Sequence, residues 1–307
     1  MNKYILVFFV TMLFGFKAIA QQQAMYTHYS FNTQAINPAY AGTRDALTVT
    51  TLHRSQWVGF EGAPKTYTVN MHSPVFNNQL GVGLSLMNDK IGPLNTTSVY
   101  ADFAYKLKVS EKGKLAFGIK GGFDMVQVNF NSIILNQQND PAFAANYQSK
   151  MIPNVGAGAY YYTPTWYFGV SIPKIMENSL RFTGSSMLAK EKRHFFFIAG
   201  RVFDLGNNIK FKPTTFVKAT NGAPIEADLT GMLIFSDKIE VGAMFRTGDA
   251  IGALFGINLS DQLRFGYSFD WSYGIPTGRY NYGSHELILR YDFIYKDRYK
   301  VRSPRYF

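Results

Sequence analysis

From Leu47 onward the chain is written in short alternating runs. Leu80, Val82, Leu84 and Leu86 are apolar, while Gly81, Gly83 and Ser85 between them are small. Val99, Ala101, Phe103, Tyr105 and Leu107 share a face opposite Tyr100, Asp102, Lys106 and Lys108. Leu115, Phe117 and Ile119 oppose Gly118, Lys120 and Gly122, and Trp166, Phe168, Val170 and Ile172 oppose Gly169 and Ser171. The second half repeats the scheme. Ile225, Ala227, Leu229 and Leu233 oppose Glu226, Asp228 and Thr230; Leu263, Phe265, Tyr267 and Phe269 oppose Arg264, Ser268 and Asp270. The last run sets Leu287, Leu289, Tyr291, Phe293 and Tyr295 against Glu286, Arg290 and Asp292. A period of two is the mark of a strand, and the runs number about 14.

Such alternation has two solutions. In a soluble sandwich the apolar faces of two sheets meet and the charged faces point to water. In a membrane barrel the apolar faces meet lipid and the charges line the lumen. The start of the chain bears on the choice. Lys3 is followed by an apolar run from Ile5 to Phe16 and then by Ala18-Ile19-Ala20, the form of an export leader with a small-residue cleavage site. The run is too short to span a bilayer, which takes roughly 20 apolar residues. The chain has no Cys, so no disulfide holds an exported sandwich together. It has 27 Phe, 20 Tyr and 27 Gly, suited to lipid-facing walls and to curved strands. These features select an all-β fold: a transmembrane antiparallel β-barrel of about 14 strands, with a short N-terminal periplasmic or luminal segment. The expected division is a leader over 1–20, that segment over 21–44, the barrel over 45–295 and a basic tail over 296–307. The longer loops, 131–150, 176–190 and 272–282, are expected outside the cell, and short turns such as 110–113 and 206–208 in the periplasm.

Charge and candidate chemistry alter this picture little. The formal charge is +11, but the compartment and the absence of any nucleic-acid motif exclude nucleic acid as a partner; an anionic outer-membrane lipid surface or an acidic partner fits better. None of His28, His53, His72, His194 and His285 pairs with another at metal-ligand spacing, and no cofactor is expected. His53 and His72 fall on neighbouring strands with Ser55 and Ser73 nearby, the raw material of a hydrolase, but no acidic orienter is identifiable. Gly81-x-Gly83 and Gly156-x-Gly158 lie within strands with no helix after them, so they are small inward positions rather than phosphate loops. Asp102, Lys106, Lys120, Glu226, Asp228, Arg264 and Asp270 are expected to line the lumen, either as a selectivity set or as an ion-pair network that plugs and stiffens the barrel.

The stretch from Ile36 to Pro64 stands apart. Asn37-Pro38-Ala39-Tyr40-Ala41-Gly42 is a compact turn, in which Pro38 restricts Asn37 and Gly42 is free to redirect the chain. A strand follows and ends at Arg54-Ser55-Gln56-Trp57, and a second turn, Gly59 to Pro64, sends the chain back. Arg54, Gln56 and Trp57 form the most exposed-looking cluster, either a binding surface or a turn clamp with a girdle aromatic. NPAYAG followed by a strand and RSQWVGFEGAP resembles the opening signature of the PorP/SprF family of outer-membrane proteins of type IX secretion and gliding. The likeness continues through LGVGLSLMNDKIGP, ADFAYKL, KLAFGIKGG, WYFGVSIPKI and GSHELILRYDF.

The resemblance implies a non-enzymatic barrel in the outer membrane of a Gram-negative bacterium. It implies as partners a secreted adhesin or another type IX substrate, other type IX secretion components and outer-membrane lipid. Two family roles stay open: partner for export or surface attachment of a large secreted adhesin, as in gliding motility, or core component bound to the periplasmic motor and ring proteins. A passive solute channel is the alternative of another class. The residues carrying the signature, and candidates for partner binding, are Asn37, Pro38, Tyr40, Gly42, Arg54, Gln56, Trp57, Gly62, Pro64, Asp89 and Gly92.

Overall fold

The computed structural model describes residues 24–129, 147–181, 188–274, 280–294 and 306–307. The leader, Tyr295, most of the basic tail and the centres of the three longest loops lie outside them. The alternating runs form strands β1 (Leu47–Ser55), β2 (Lys65–Val75), β3 (Leu80–Ile91), β4 (Leu94–Lys108), β5 (Lys114–Asn129), β6 (Tyr147–Tyr162) and β7 (Trp166–Ile172). After a small hairpin, β8 (Ser179–Arg181) with β9 (Leu188–Lys190), come β10 (His194–Arg201) and β11 (Phe203–Gly206). The chain continues through β12 (Ile209–Thr220), β13 (Glu226–Phe235), β14 (Ile239–Arg246), β15 (Ala250–Asn258), β16 (Leu263–Ser272) and β17 (Ser284–Phe293).

Fourteen of these strands close one antiparallel wall, β1 to β7, β10 and β12 to β17, while β11 is an extra strand paired with β12. Closure runs through β1 and β17, in register from Leu47 opposite Phe293 to Ser55 opposite His285. On the far side β10 bridges β7 and β12. Every wall strand therefore has two partners, and the stacked-sheet solution is excluded.

The two faces settle what surrounds the wall. Val82, Phe103, Phe117, Val155, Phe168, Val241, Phe255 and Leu289 are exposed on the outside, whereas Asp102, Lys120, Glu240, Arg246, Asp270, Glu286 and Arg290 are buried inside. A soluble protein has the reverse arrangement; this one suits hydrocarbon outside. No helix among the described residues is long and apolar enough to cross a membrane, so the crossing is made by strands. The connections at the end where β1 begins and β17 finishes are short. At 207–208 and 236–237 both turn residues have positive φ, 52° and 60° for Asn207 and Asn208, as two-residue hairpins need. The long connections, after β5, β7 and β16, all fall at the opposite end. In bacterial outer-membrane barrels short turns face the periplasm, which makes the long-loop end the surface end.

Residues 24–46 lie in the lumen. They contain one helical turn, α1 (Thr33–Ile36), then a 3-10 turn (Pro38–Tyr40), and nearly all their side chains are buried. The strap enters at the surface end, where Tyr26 O accepts from Arg246 Nη2 at 2.7 Å, and descends to the periplasmic end, where Arg44 meets Asp292 at 2.9 Å. Its rings pack against wall rings: Tyr29 stacks on Phe216 at 3.7 Å between centroids, and Tyr40 meets Tyr160 edge-on at 5.5 Å. The apolar core of the molecule is therefore inside the barrel, between strap and wall.

Candidate functional site

The chemistry of the molecule is concentrated where the strap meets the wall. At the surface end, the Glu286 carboxylate accepts the backbone N–H groups of Thr27 and His28 at 2.9 and 2.8 Å, and His28 Nδ1 lies 2.9 Å from its Oε1. Arg54, in register with Glu286 across the β1/β17 seam, pairs with Glu286 at 3.3 Å and with Asp270 at 2.7 Å. Thr27 Oγ1 donates to Asp270 at 2.6 Å and accepts from Arg54 Nη1 at 2.9 Å. Next to this lock Arg246 pairs with Asp228 at 2.7 Å, and Lys218 with Glu226 at 3.5 Å. In the turn beyond β14, burial pushes the Asp249 carboxyl above the usual range, against the pull of Arg246 3.6 Å away.

Midway, the ring of Phe31 is surrounded by cations: Arg264 at 3.9 Å, Lys212 at 4.4 Å and Arg290 at 5.5 Å from its centroid. Arg290 also donates to the Phe31 carbonyl, and Glu240 pairs with Arg264 at 2.6 Å and Lys212 at 3.1 Å. On the other side Asp102 accepts from Gln34 Nε2 at 2.9 Å and pairs with Lys120 at 3.5 Å, while Lys120 reaches the carbonyls of Gln34 and Ala35. At the periplasmic end Lys106 Nζ donates to Gly42 O at 2.6 Å. There the chain's last described residues close in: Phe307 packs on Tyr167, Arg44 donates to its carbonyl, and Lys212 donates to Tyr306 O at 3.2 Å.

The Asn37–Gly42 turn fits the wall through missing side chains. Asn37 caps its own turn by accepting from Ala39 N at 3.0 Å, and its Nδ2 donates to Ala159 O at 3.0 Å. A Cβ on Gly118 would overlap Ala39, one on Gly158 would overlap Asn37 Oδ1, and one on Gly81 would overlap Ala41 O. The glycines of the β3, β5 and β6 runs thus let the strap's backbone lie directly on the wall. Gly42, at φ 70°, packs against Gly81 and Pro74 where the strap turns toward β1.

The structure distributes the sequence-derived candidates in three places. Asn37, Pro38, Tyr40 and Gly42 are buried in the lumen, within the strap. Arg54 is corrected: far from being exposed beside Gln56 and Trp57, it is 2% exposed, because β1 alternates and puts Arg54 on the inner face. Trp57 bends back over the surface mouth with φ 50°, its Nε1 donating to Ser272 Oγ at 3.2 Å. Gln56 N donates to Pro64 O at 2.9 Å, closing the 56–64 loop, and Gly92 N donates to Gly62 O at 2.9 Å, tying that loop to the β3–β4 turn. Asp89 points inward and accepts from Thr66 Oγ1 at 2.6 Å. Asp102, Lys106, Lys120, Glu226, Asp228, Arg264 and Asp270 all lie on the lumen side, each engaged with the strap or another inward charge. His53 and His72 are on opposite faces: His72 accepts from Gly42 N at 3.1 Å inside, while His53 stacks on Tyr67 at 4.3 Å. They cannot share a site. Among the described residues no His, Cys, Asp and Glu group could hold a metal.

Glu286, Arg246, Arg290 and Asp292, which bond the strap directly, and Glu240, which holds the cations around Phe31, are not singled out by the sequence. Their only signal was an inward position in an alternating run.

Fold and site together define an outer-membrane β-barrel whose lumen is filled by its own N-terminal strap. The chain matches the family model of the type IX secretion system membrane protein PorP/SprF over residues 18–291, and it belongs to that family. Among curated proteins no sequence matches it. Solved structures similar to it include the Acinetobacter baumannii outer membrane protein Omp33, with TM-score 0.47, 10% identity and 82% of this chain covered by 100% of that one. The CymD monoaromatic hydrocarbon channel gives 0.48 and 8%, covering 86% and 93%. A Pseudomonas aeruginosa FadL homologue gives 0.46 and 12%, covering 84% and 93%. At such values the likeness carries no functional argument.

Proposed function

We propose that this chain is a non-conducting, non-enzymatic docking partner in type IX secretion, serving the export or surface attachment of one large secreted adhesin. The observation that supports the reading is the occupied lumen. Residues 24–46 are held along the barrel by carboxylates, guanidiniums and glycine-lined backbone, so the interior offers a scaffold rather than a solute path. A filled barrel leaves its loops as the working surface. Deleting the chain tests the proposal in cells. The expected result is loss of one large protein from the surface, with normal outer-membrane permeability and normal export of other type IX cargo. Loss of all type IX cargo would assign the chain to the core machinery instead, and leaky cells with normal surface display would sink both roles.

A further inference from the structure

We propose that the outer wall carries a binding site for the phosphate groups of an outer-leaflet glycolipid, built on Lys65 and Lys90. The two residues are direct cross-strand partners on β2 and β3, and both side chains are exposed. Their face is the outer one: Thr66 and Asp89, their neighbours in sequence, point inward and bond to each other at 2.6 Å. Like charges placed opposite each other destabilise a sheet. Neither ammonium has an ion-pair partner among the described residues, and Glu61 on the adjoining loop engages neither. The pair is therefore a repulsive element that a bound anion would relieve.

Its height on the wall identifies the anion. Below Lys65 on the same face of β2 come Tyr67, Val69 and Met71, and below Lys90 on β3 come Asn88, Leu86, Leu84 and Val82. The lysines thus stand one residue pair above a girdle aromatic, at the surface end, where hydrocarbon gives way to headgroups. Their aliphatic stems can run up from the apolar band with the charge at its edge. Hydrogen-bonding groups flank them on the same cross-strand row. Asn95 lies opposite Lys90 and accepts from Asn88 at 2.8 Å; Ser55 lies opposite Lys65 with its Oγ 3.1 Å from His53 Nε2, and His285, opposite Ser55, has its Nδ1 2.7 Å from the Tyr267 hydroxyl and its Nε2 left for a ligand. A phosphate monoester carries about −1.5 to −2 charge and several acceptor oxygens, which matches two ammoniums beside amide, hydroxyl and imidazole groups. An acidic polypeptide would be drawn to the same charge but gains nothing from the apolar band directly beneath it.

The test uses the purified full-length chain in detergent, titrated with bis-phosphorylated lipid A, with lipid A stripped of its phosphates, with inorganic phosphate at matched concentration and with poly-glutamate. The readouts are binding and the temperature at which the heat-modifiable band unfolds. Binding of intact lipid A with a raised unfolding temperature, absent with the stripped lipid and with inorganic phosphate, is expected. Lys65→Gln and Lys90→Gln should each weaken binding about fivefold, and together roughly 30-fold, at about 1 kcal/mol per surface lysine. In plain detergent the double variant should unfold no earlier than the parent, since it removes a repulsion. Undiminished lipid A binding by the double variant would overturn the site. An equal response to free phosphate, or a response to poly-glutamate alone, would overturn the lipid as its occupant.

Discussion

Gly81 shows how a residue without chemistry decides the lumen. It sits inward on β3, and the carbonyl of Ala41 occupies the place its side chain would take. Gly121, on the outer face of β5, is turned away from the strap, and a Cβ there would meet nothing within 4 Å. The pair makes a controlled comparison. Gly81→Ala must push the Asn37–Gly42 turn off the wall, and overpacking of this kind costs about 1–3 kcal/mol. Gly121→Ala should stay within about 0.5 kcal/mol of the parent. Urea unfolding midpoints of the refolded protein in micelles would measure both. Equal effects at the two positions would mean that the strap does not bear on β3. The buried Arg54 obeys the same logic in charge. Its guanidinium is held by Asp270 and Glu286 and donates to Thr27 Oγ1, which ties this part of the wall to the strap.

At the level of elements, strap and wall behave as key and lock, and removing the key has a defined consequence. A chain lacking residues 24–43 keeps all of its wall strands but exposes inward Asp102, Lys120, Glu286 and Arg290 to water. It should therefore form ion-conducting pores in planar bilayers, while the parent chain stays silent. Silence of a correctly refolded deletion, shown by its heat-modifiable band, would mean that other segments fill the lumen. The contrast between strap and wall also explains what could be read from the residues. The wall was legible because alternation is local: each strand declares its own faces, and the 14-strand count follows. The strap has no period, because its partners are scattered from Arg54 to Phe307. Its path could not be seen, although the Asn37-Pro38 turn at its centre could. Arg54 looks exposed only when grouped with its neighbours in sequence, Gln56 and Trp57; the alternation of β1 assigns it to the lumen. The inward glycines are legible as small positions, but what presses on Gly81, Gly118 and Gly158 belongs to the strap, a distant part of the chain.

For the molecule as a whole, the direction of the strap has a topological consequence. Thr27 and His28 are tied to Glu286 near the surface mouth, whereas Arg44 is tied to Asp292 at the opposite end, just before β1 begins. The chain therefore starts its described course at the cell-surface side and runs inward before building the wall from the periplasmic side. The same two carboxylates also tie the wall to itself: Arg54 to Glu286 and Thr48 Oγ1 to Asp292 at 2.6 Å span the β1/β17 seam that closes the barrel. The chain contains no cysteine, which makes the geometry directly measurable. A single cysteine at Ala24 should react with a membrane-impermeant maleimide on intact cells. One at Asn78, in the turn between β2 and β3, should react only after the outer membrane is permeabilised. Protection of Ala24→Cys in intact cells together with labelling of Asn78→Cys would reverse the orientation. It would also place Lys65 and Lys90 in the periplasmic leaflet, away from the glycolipid assigned to them.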